Sequence, residues 1–167
     1  IRVGVDKNGA GVIGFYAERS HRIVPVDKCP IHPAWAKDII DIFYAYMKQC
    51  RVRAYDEATG KGVLRHIVVR DVDGGFLTTA VTATPELPSW EKLAGMIGEK
   101  FKVFSLWHNV NAGDGNGVFG NRWKLLEGKG KYSAHECGIR FEVGPNTFMQ
   151  VNRSVCRKLY ERTVRFA

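Results

Sequence analysis

The sequence has no apolar run approaching the ~20 residues that a membrane-spanning helix needs. Its longest apolar-rich stretch, Ile39 to Met47, is interrupted by Asp41 and reads as one side of an amphipathic helix. No segment joins a basic start, an apolar middle and a small-residue cleavage site, so no secretory leader is indicated. Cysteine is sparse. Cys29, Cys50, Cys137 and Cys156 include no Cys-x-x-Cys pair, which argues against a disulfide scaffold and for a reduced, cytoplasmic setting. The five histidines, at 21, 32, 66, 108 and 135, show no His-x-x-x-His or mixed Cys spacing; only a zinc site assembled from distant loops stays open. There is no Gly-x-Ser-x-Gly elbow and no phosphate loop ending in Gly-Lys-Ser/Thr. Ser20 and His21 are neighbours, and neighbours on a strand point to opposite faces, so they form no nucleophile–base pair. Internal repeats and low-complexity segments are missing too.

What is present is a chain of 167 residues, long enough for one domain with a proper core. Hydrophobic residues make up 45% and charged residues 25%, both ordinary for a globular protein. Lys and Arg number 25 against 17 Asp and Glu, a formal charge of +8. Such a surplus favours polyanionic partners through phosphate neutralisation, although an inert basic surface has the same composition. Aromatics scattered among the cations, able to stack on unpaired bases, favour the first reading. The basic residues recur as Arg51 and Arg53, Arg65 and Arg70, Lys124 to Lys131, and Arg153 to Arg165. The chain opens at Ile1 inside a strand-like pattern and stops at Ala167 inside a helical one, so it is expected to be part of a longer protein.

Residues 2–5 and 11–16 read as strands joined through Asp6-Lys7-Asn8-Gly9, with a third strand at Arg22 to Val26. Pro33 is expected at the first position of a helix whose inner face is Trp35, Ile39, Ile40, Phe43 and Met47. A second hairpin spans 63–72 and 76–82 around Asp73-Gly74-Gly75, and Pro88-Ser89 opens a helix with Trp90, Leu93, Ile97 and Phe101 inward. Strands follow at about 102–109, 122–127 and 138–143. Asn152 caps a last helix with the stripe Val155, Leu159, Tyr160 and Val164. Hairpins outnumber helical crossovers, which predicts an α+β fold: a largely antiparallel sheet of hairpins with two or three packed helices.

Gly115, Gly117 and Gly120 satisfy G-x-G-x-x-G, but a dinucleotide fingerprint needs a helix directly after it, and Asn121 to Gly128 is strand-like. Asn111, Asp114 and Asn116 loosely resemble a calcium loop, yet Arg122 stands near where its closing Glu belongs. Taken alone, the residues describe a basic α+β domain suited to nucleic acid, with no self-contained active site.

Three stretches carry a resemblance. The first runs from Gly14-Phe15-Tyr16 through Ser20-His21 and Ile23-Val24 to Cys29-Pro30-Ile31. The second is Tyr55-Asp56-Glu57, Thr59-Gly60, Gly62 and Leu64-Arg65-His66. The third is Phe141, Gly144-Pro145 and Phe148-Met149-Gln150-Val151-Asn152, leading to Leu159-Tyr160. Ser105, Asn109, Asn111 and Gly120 fall between them at fitting spacings. In this order the chain resembles the bacterial RNA (uracil-5-)-methyltransferases, most closely the group acting on 23S ribosomal RNA. Members place an oligonucleotide-binding barrel first, a central α/β region next and a Rossmann-like methyltransferase domain last. The resemblance implies that residues 1–150 are the central RNA-handling region and 151–167 the first helix of the cofactor domain. It further implies that the catalytic cysteine and general base lie beyond Ala167, so no residue here is assigned as catalytic.

By the same resemblance Gln150 matches a glutamine that helps bind S-adenosylmethionine; a local role as an amide capping the last helix is the alternative. Phe148 would lie near the flipped base and stack on it, or be a buried core residue. Cys29 matches the fourth ligand of the 4Fe-4S iron–sulphur cluster that some members hold, its three partners preceding Ile1; the alternative is a buried apolar cysteine. Arg65 and His66 are RNA-contact candidates, with phosphate contact and cross-strand pairing both open. The implied parent is an S-adenosylmethionine-dependent enzyme making 5-methyluridine in RNA, ribosomal RNA above all, while this stretch alone is expected to be inactive. A non-catalytic RNA-binding or assembly module is the alternative. The stripe on the last helix, lacking the domain it would pack on, is expected to drive self-association.

Overall fold

The computed structural model describes residues 1–166 apart from 27, 28, 114, 116 and 151. Strands β1 (Arg2–Val5) and β2 (Gly11–Tyr16) form the first hairpin, and β3 (Ile23–Pro25) pairs with the outer edge of β2. Gly14 permits that pairing, because a Cβ there would fall 1.8 Å from the Val24 carbonyl oxygen. Helix α1 (Trp35–Gln49) begins after Ala34, so Pro33 stands just outside the helix rather than at its first position; its carbonyl accepts the Ala36 N–H at 3.0 Å. Strands β4 (Leu64–Val72) and β5 (Gly75–Thr82) form the second hairpin, turned on Asp73 and Gly74, both at positive φ (48° and 88°) as a two-residue primed turn requires.

Helix α2 (Trp90–Lys100) then carries the chain back to β6 (Phe104–Val110), which runs parallel to β5. Among the described strands this is the one parallel pair in a sheet otherwise built of antiparallel neighbours, since a parallel return needs a long connection and α2 supplies it. Strand β7 (Arg122–Glu127) completes the order β3-β2-β1-β4-β5-β6-β7. A separate hairpin, β8 (Tyr132–Glu136) and β9 (Ile139–Val143), precedes α3 (Arg153–Phe166). The sequence reading missed β8, whose Tyr-Ser-Ala-His-Glu lacks apolar alternation and whose turn is the unusual pair Cys137-Gly138, again both at positive φ.

Both α1 and α2 cover one face of the sheet. Val3, Ile13, Ile67, Ala80 and Leu106 from the strands meet Ile39, Phe43, Leu93 and Ile97 from the helices. Each of the larger side chains, Ala80 apart, contributes roughly 1.5–3 kcal/mol by its burial. The opposite face is covered only in part. There the β8–β9 hairpin packs Ala134 and Val143 onto Val72 and Leu77, with Tyr132 seated over Gly75.

Strand β4 carries a bulge between Leu64 and His66. Leu64 and Ile67 both enter the helix-side core, which turns Arg65 and His66 together onto the other face. Arg65 is 2% exposed. Its Nη1 donates to the carbonyls of Asn111 (2.7 Å) and Gly113 (2.6 Å), and its guanidinium lies 4.5 Å from the Tyr55 ring centre. Asn109 and Asn111 brace the same loop, bonding to Gly120, Arg122, Gly117 and Val118 carbonyls. Strand β7 follows this glycine-rich loop where a dinucleotide site would need a helix. Asp114 and Asn116, two of the three residues of the calcium-like pattern, lie outside the described residues.

Helix α3 is capped by Asn152, whose Oδ1 accepts the Val155 N–H at 3.1 Å. It is clasped to the hairpins by charge. Arg153 donates to Asp73 (2.9 Å) and Glu136 (3.3 Å), and Arg157 to the other oxygen of Glu136 (3.1 Å). The hydrogen bond from Arg157, joined by Arg153, holds the Glu136 carboxyl below the usual range; the bond from Arg153 does the same for Asp73.

Two outcomes are expected. Arg65→Ala leaves the buried Asn111 carbonyl and the part-buried Gly113 carbonyl unmet and should cost roughly 1–3 kcal/mol in urea unfolding, with the 111–120 amides losing hydrogen-exchange protection. Ordinary surface-like values, within about 0.5 kcal/mol, would refute the bracing role. Because both clasp carboxyls have lowered folded values, their contribution is complete above the ordinary carboxylate range and is lost as pH falls through the lowered values. In amide NMR, α3 resonances should therefore move toward coil positions before those of the sheet on acidification, and Glu136→Gln should reproduce this at neutral pH. A single concerted transition would count against it.

Candidate nucleic-acid interface

The open part of the helix-free face is centred on β1 and β4, where Arg2 stands opposite His66 in register. Arg2 Nη1 lies 2.8 Å from His66 Nε2. Arginine only donates, so Nε2 accepts and the ring proton sits on Nδ1. Burial, then the adjacent Arg2 charge, pushes the His66 pKa down to about 3. The ring is thus neutral at any physiological pH, and its basic nitrogen is already occupied. Arg2 also pairs with Glu57, whose other oxygen accepts from Tyr16 Oη at 2.7 Å and contacts His21 Nδ1 at 3.1 Å. One carboxylate therefore ties together β1, β2, the β2–β3 turn and the loop before β4.

Of the two alternatives open for Arg65 and His66, the geometry has the features of internal pairing: His66 is 7% exposed and bonds across the strands, while Arg65 braces a loop. Arg2 and Glu57 had drawn no site assignment from the sequence. Arg2 sits in a short strand with nothing local to mark it, and only the long-range register with His66 finds it.

Gln150 and Phe148 stand elsewhere, on the segment between β9 and α3. That segment is pinned by Arg70, which donates to the Pro145 carbonyl at 2.6 Å, and by Met149, which packs against the cluster of Val72, Leu77, Ala134 and Val143. Phe148 is 80% exposed, so it is no core residue. Gln150 is exposed as well, and the helix-capping role open to it is filled by Asn152. Val151, the next residue of that motif, lies outside the described residues. No hydrogen bond among the described residues joins this segment to Arg65 or His66.

Cys29 is half-buried at a cavity of about 330 Å³ lined also by Pro30, His32 and Ile40. Ile31 beside it is 87% exposed. Among the described residues no three His, Cys, Asp or Glu side chains come together as a metal-holding group. Two of the other thiols are set in poor environments for a nucleophile. Cys156 is buried, and Cys137 has its pKa raised by desolvation and by Glu136 next to it. Arg70, Arg153 and Arg157 are engaged by carbonyls and carboxylates, so two of the four basic runs serve the fold at least in part. No described helix is long and apolar enough to cross a membrane.

No protein-family model matches the chain. It is 33% identical over 162 residues to a protein named as an uncharacterized RNA methyltransferase of Clostridium acetobutylicum, covering 95% of this chain and 35% of the relative. A protein of the same description from Clostridium tetani is 34% identical over 168 residues, covering 99% of this chain and 36% of the relative. Among solved structures, the fold matches a tRNA (uracil-54, C5)-methyltransferase of Pyrococcus abyssi in complex with S-adenosyl-L-homocysteine, with a TM-score of 0.77 and 20% identity over 99% of this chain and 39% of that one. The chain thus spans about a third of the length of the relatives it matches. Along nearly all of its own length the chain is thus homologous to one segment of proteins named RNA methyltransferases.

Proposed function

We propose that this chain is the RNA-handling segment of an S-adenosylmethionine-dependent methyltransferase that makes 5-methyluridine, with ribosomal RNA as its substrate and the cytoplasm as its place of work. The observation that carries the reading is the collinear match to RNA methyltransferases along 95% of the chain. The likeness of fold to an enzyme acting at carbon 5 of a tRNA uracil supports the choice of atom.

Carbon 5 of uracil is a weak nucleophile. A thiolate adding to carbon 6 makes it an enolate, S-adenosylmethionine supplies the methyl group, and loss of the carbon 5 proton lets the thiolate leave. The thiolate has to reach the face of the base, so the uridine must leave its stack. None of the four thiols here is read as that nucleophile. What this chain would contribute is a surface that holds the displaced strand, and residues that hold the base and the cofactor at the junction with the next domain.

Residues 1–150 form the RNA-handling part in this reading, and α3 is the first helix of the cofactor domain. Its outward face supports the division: Val155, Leu159 and Phe166 are 57%, 55% and 81% exposed, an apolar strip suited to a following domain or, failing that, to a second copy. Gln150 fits a cofactor contact because its amide is exposed and takes no part in the cap, on a segment pinned from both sides. Phe148 would stack on the flipped base. Arg65 and His66 would act on RNA through the loop and strands they position. Cys29 would give one thiolate of a four-thiolate cluster, the exposed Ile31 marking a surface for the segment that brings the other three. The described residues alone do not make that site, and no step of the reaction runs through it.

Two measurements on the full-length protein test the reading. With ribosomal RNA tritiated at uracil carbon 5, tritium should be released into water only when S-adenosylmethionine is present. RNA binding without any release would replace the enzyme with a non-catalytic RNA module. Gln150→Ala should weaken cofactor binding about tenfold, the effect of one lost hydrogen bond; an unchanged dissociation constant would remove Gln150 from the site.

A further inference from the structure

Helix α1 ends on Arg51 in the left-handed conformation (φ 54°), with the Val52 N–H bonded back to the Met47 carbonyl at 3.0 Å. Glycine is the usual residue at this position of a helix end. The arginine that stands there lines a cleft of about 670 Å³ between the β1–β2 turn, the end of α1 and the loop before β4. Lys48, Arg53 and Lys61 line the same cleft. All four residues are exposed, and none of their side chains has a hydrogen bond or ion pair among the described residues. The carriers are held in place. The Val63 N–H bonds to the Arg53 carbonyl at 2.9 Å, and the Asp56 N–H to the Lys61 carbonyl at 2.7 Å.

Asp56 is the one carboxylate lining the cleft, and it is turned to its own loop, accepting from the Ala58 N–H (3.0 Å) and Thr59 Oγ1 (2.7 Å). Four positive charges thus share a cleft with one engaged negative charge. The floor is apolar, made of Val5, Met47 and Val52. A compact hydrated anion would gain little from such a floor, whereas a strand with repeating phosphates and less polar sugars meets both parts. The cleft is too small to take a duplex, which proteins read across its wide minor groove.

We propose that this cleft binds the phosphodiester backbone of single-stranded RNA and tracks the substrate strand across the sheet end. The proposal rests on the RNA reading above and adds a place to it. The contacts are to phosphate, so they set position and affinity rather than sequence preference.

The test is fluorescence anisotropy of a labelled, unstructured oligouridine with the 167-residue chain, over a salt series. Each of K48Q, R51Q, R53Q and K61Q should lower the slope of log affinity against log salt by roughly 0.7, and the R51Q/R53Q pair by about 1.4. Lys129→Gln, on the β7–β8 turn outside the cleft, should leave it unchanged. Arg51→Gly separates binding from folding: it suits the left-handed position, so it should raise the melting temperature while weakening RNA binding. Wild-type binding with slopes unmoved in the cleft variants would overturn the cleft and leave the RNA reading standing. No binding by the wild type at low salt would overturn both. Displacement of the oligonucleotide by inorganic pyrophosphate beyond an ionic-strength-matched chloride control would mark a small-anion pocket and overturn the assignment to a strand.

Discussion

A guanidinium keeps its proton inside a protein, so an arginine buried as deeply as Arg65 has to be given acceptors. The acceptors here are main-chain carbonyls of the loop after β6, far from Arg65 in sequence. That demand explains the bulge in β4, without which Arg65 and His66 would point to opposite faces. It explains the asparagines as well. Asn109 and Asn111 hold the loop in the shape that presents two carbonyls to one nitrogen, with Gly120 admitting the close approach of Val110 that a Cβ would block at 2.0 Å. The helix-free face is therefore assembled from the inside outward: a buried charge fixes a loop, the bulge sets His66 beside Arg2, and Glu57 answers the charge of Arg2.

The same accounting sorts the basic surplus into two kinds. Arg2, Arg65, Arg70, Arg153 and Arg157 each have a partner and hold elements together. Arg2, Arg153 and Arg157 are answered by carboxylates, while the Nη1 donors of Arg65 and Arg70 are occupied by carbonyls and cannot turn to an outside phosphate. The cations around the end of α1 are of the other kind, and their number bears on function where the raw total of +8 does not. Net charge alone would have given the clasp arginines of α3 the same weight as Arg51 and Arg53.

Much of the fold was legible in the sequence because it is local. Strands 2–5 and 11–16, the Asp73-Gly74 turn and the inner faces of α1 and α2 follow from period and turn chemistry. The capping of α3 by Asn152 was equally local. Three features were not. Strand β8 has no alternation to announce it, because only Ala134 and Glu136 turn fully inward. The parallel step between β5 and β6 depends on where α2 lies, which no residue pattern states. The Arg2–His66–Glu57 cluster joins residues 2, 57 and 66 by register alone. At the candidate site, the sequence left Gln150 and Phe148 with two readings each; the structure shows Phe148 exposed and the α3 cap filled by Asn152.

The way α3 is held bears on how a two-part enzyme of the proposed kind would be organised. Arg153, Cys156 and Arg157 share one face of the helix, and that face is closed by carboxylates and by burial of Cys156. Val155, Leu159 and Phe166 recur at positions i, i+4 and i+11 on the opposite side, which nothing among the described residues covers. Polar bonds are directional, whereas apolar burial is not. The clasp therefore sets the angle at which the helix leaves the hairpins, and the apolar side can accept whatever packs there without altering that angle. Phe148 and Gln150 lie in the few residues between the pinned Pro145 and the first clasp residue, Arg153. A shift of α3 would move both relative to the seven-stranded sheet. In the proposed enzyme, a charged clasp next to them, rather than a second hydrophobic seam free to slide, would keep a base and a cofactor in fixed relation across the junction with the next domain.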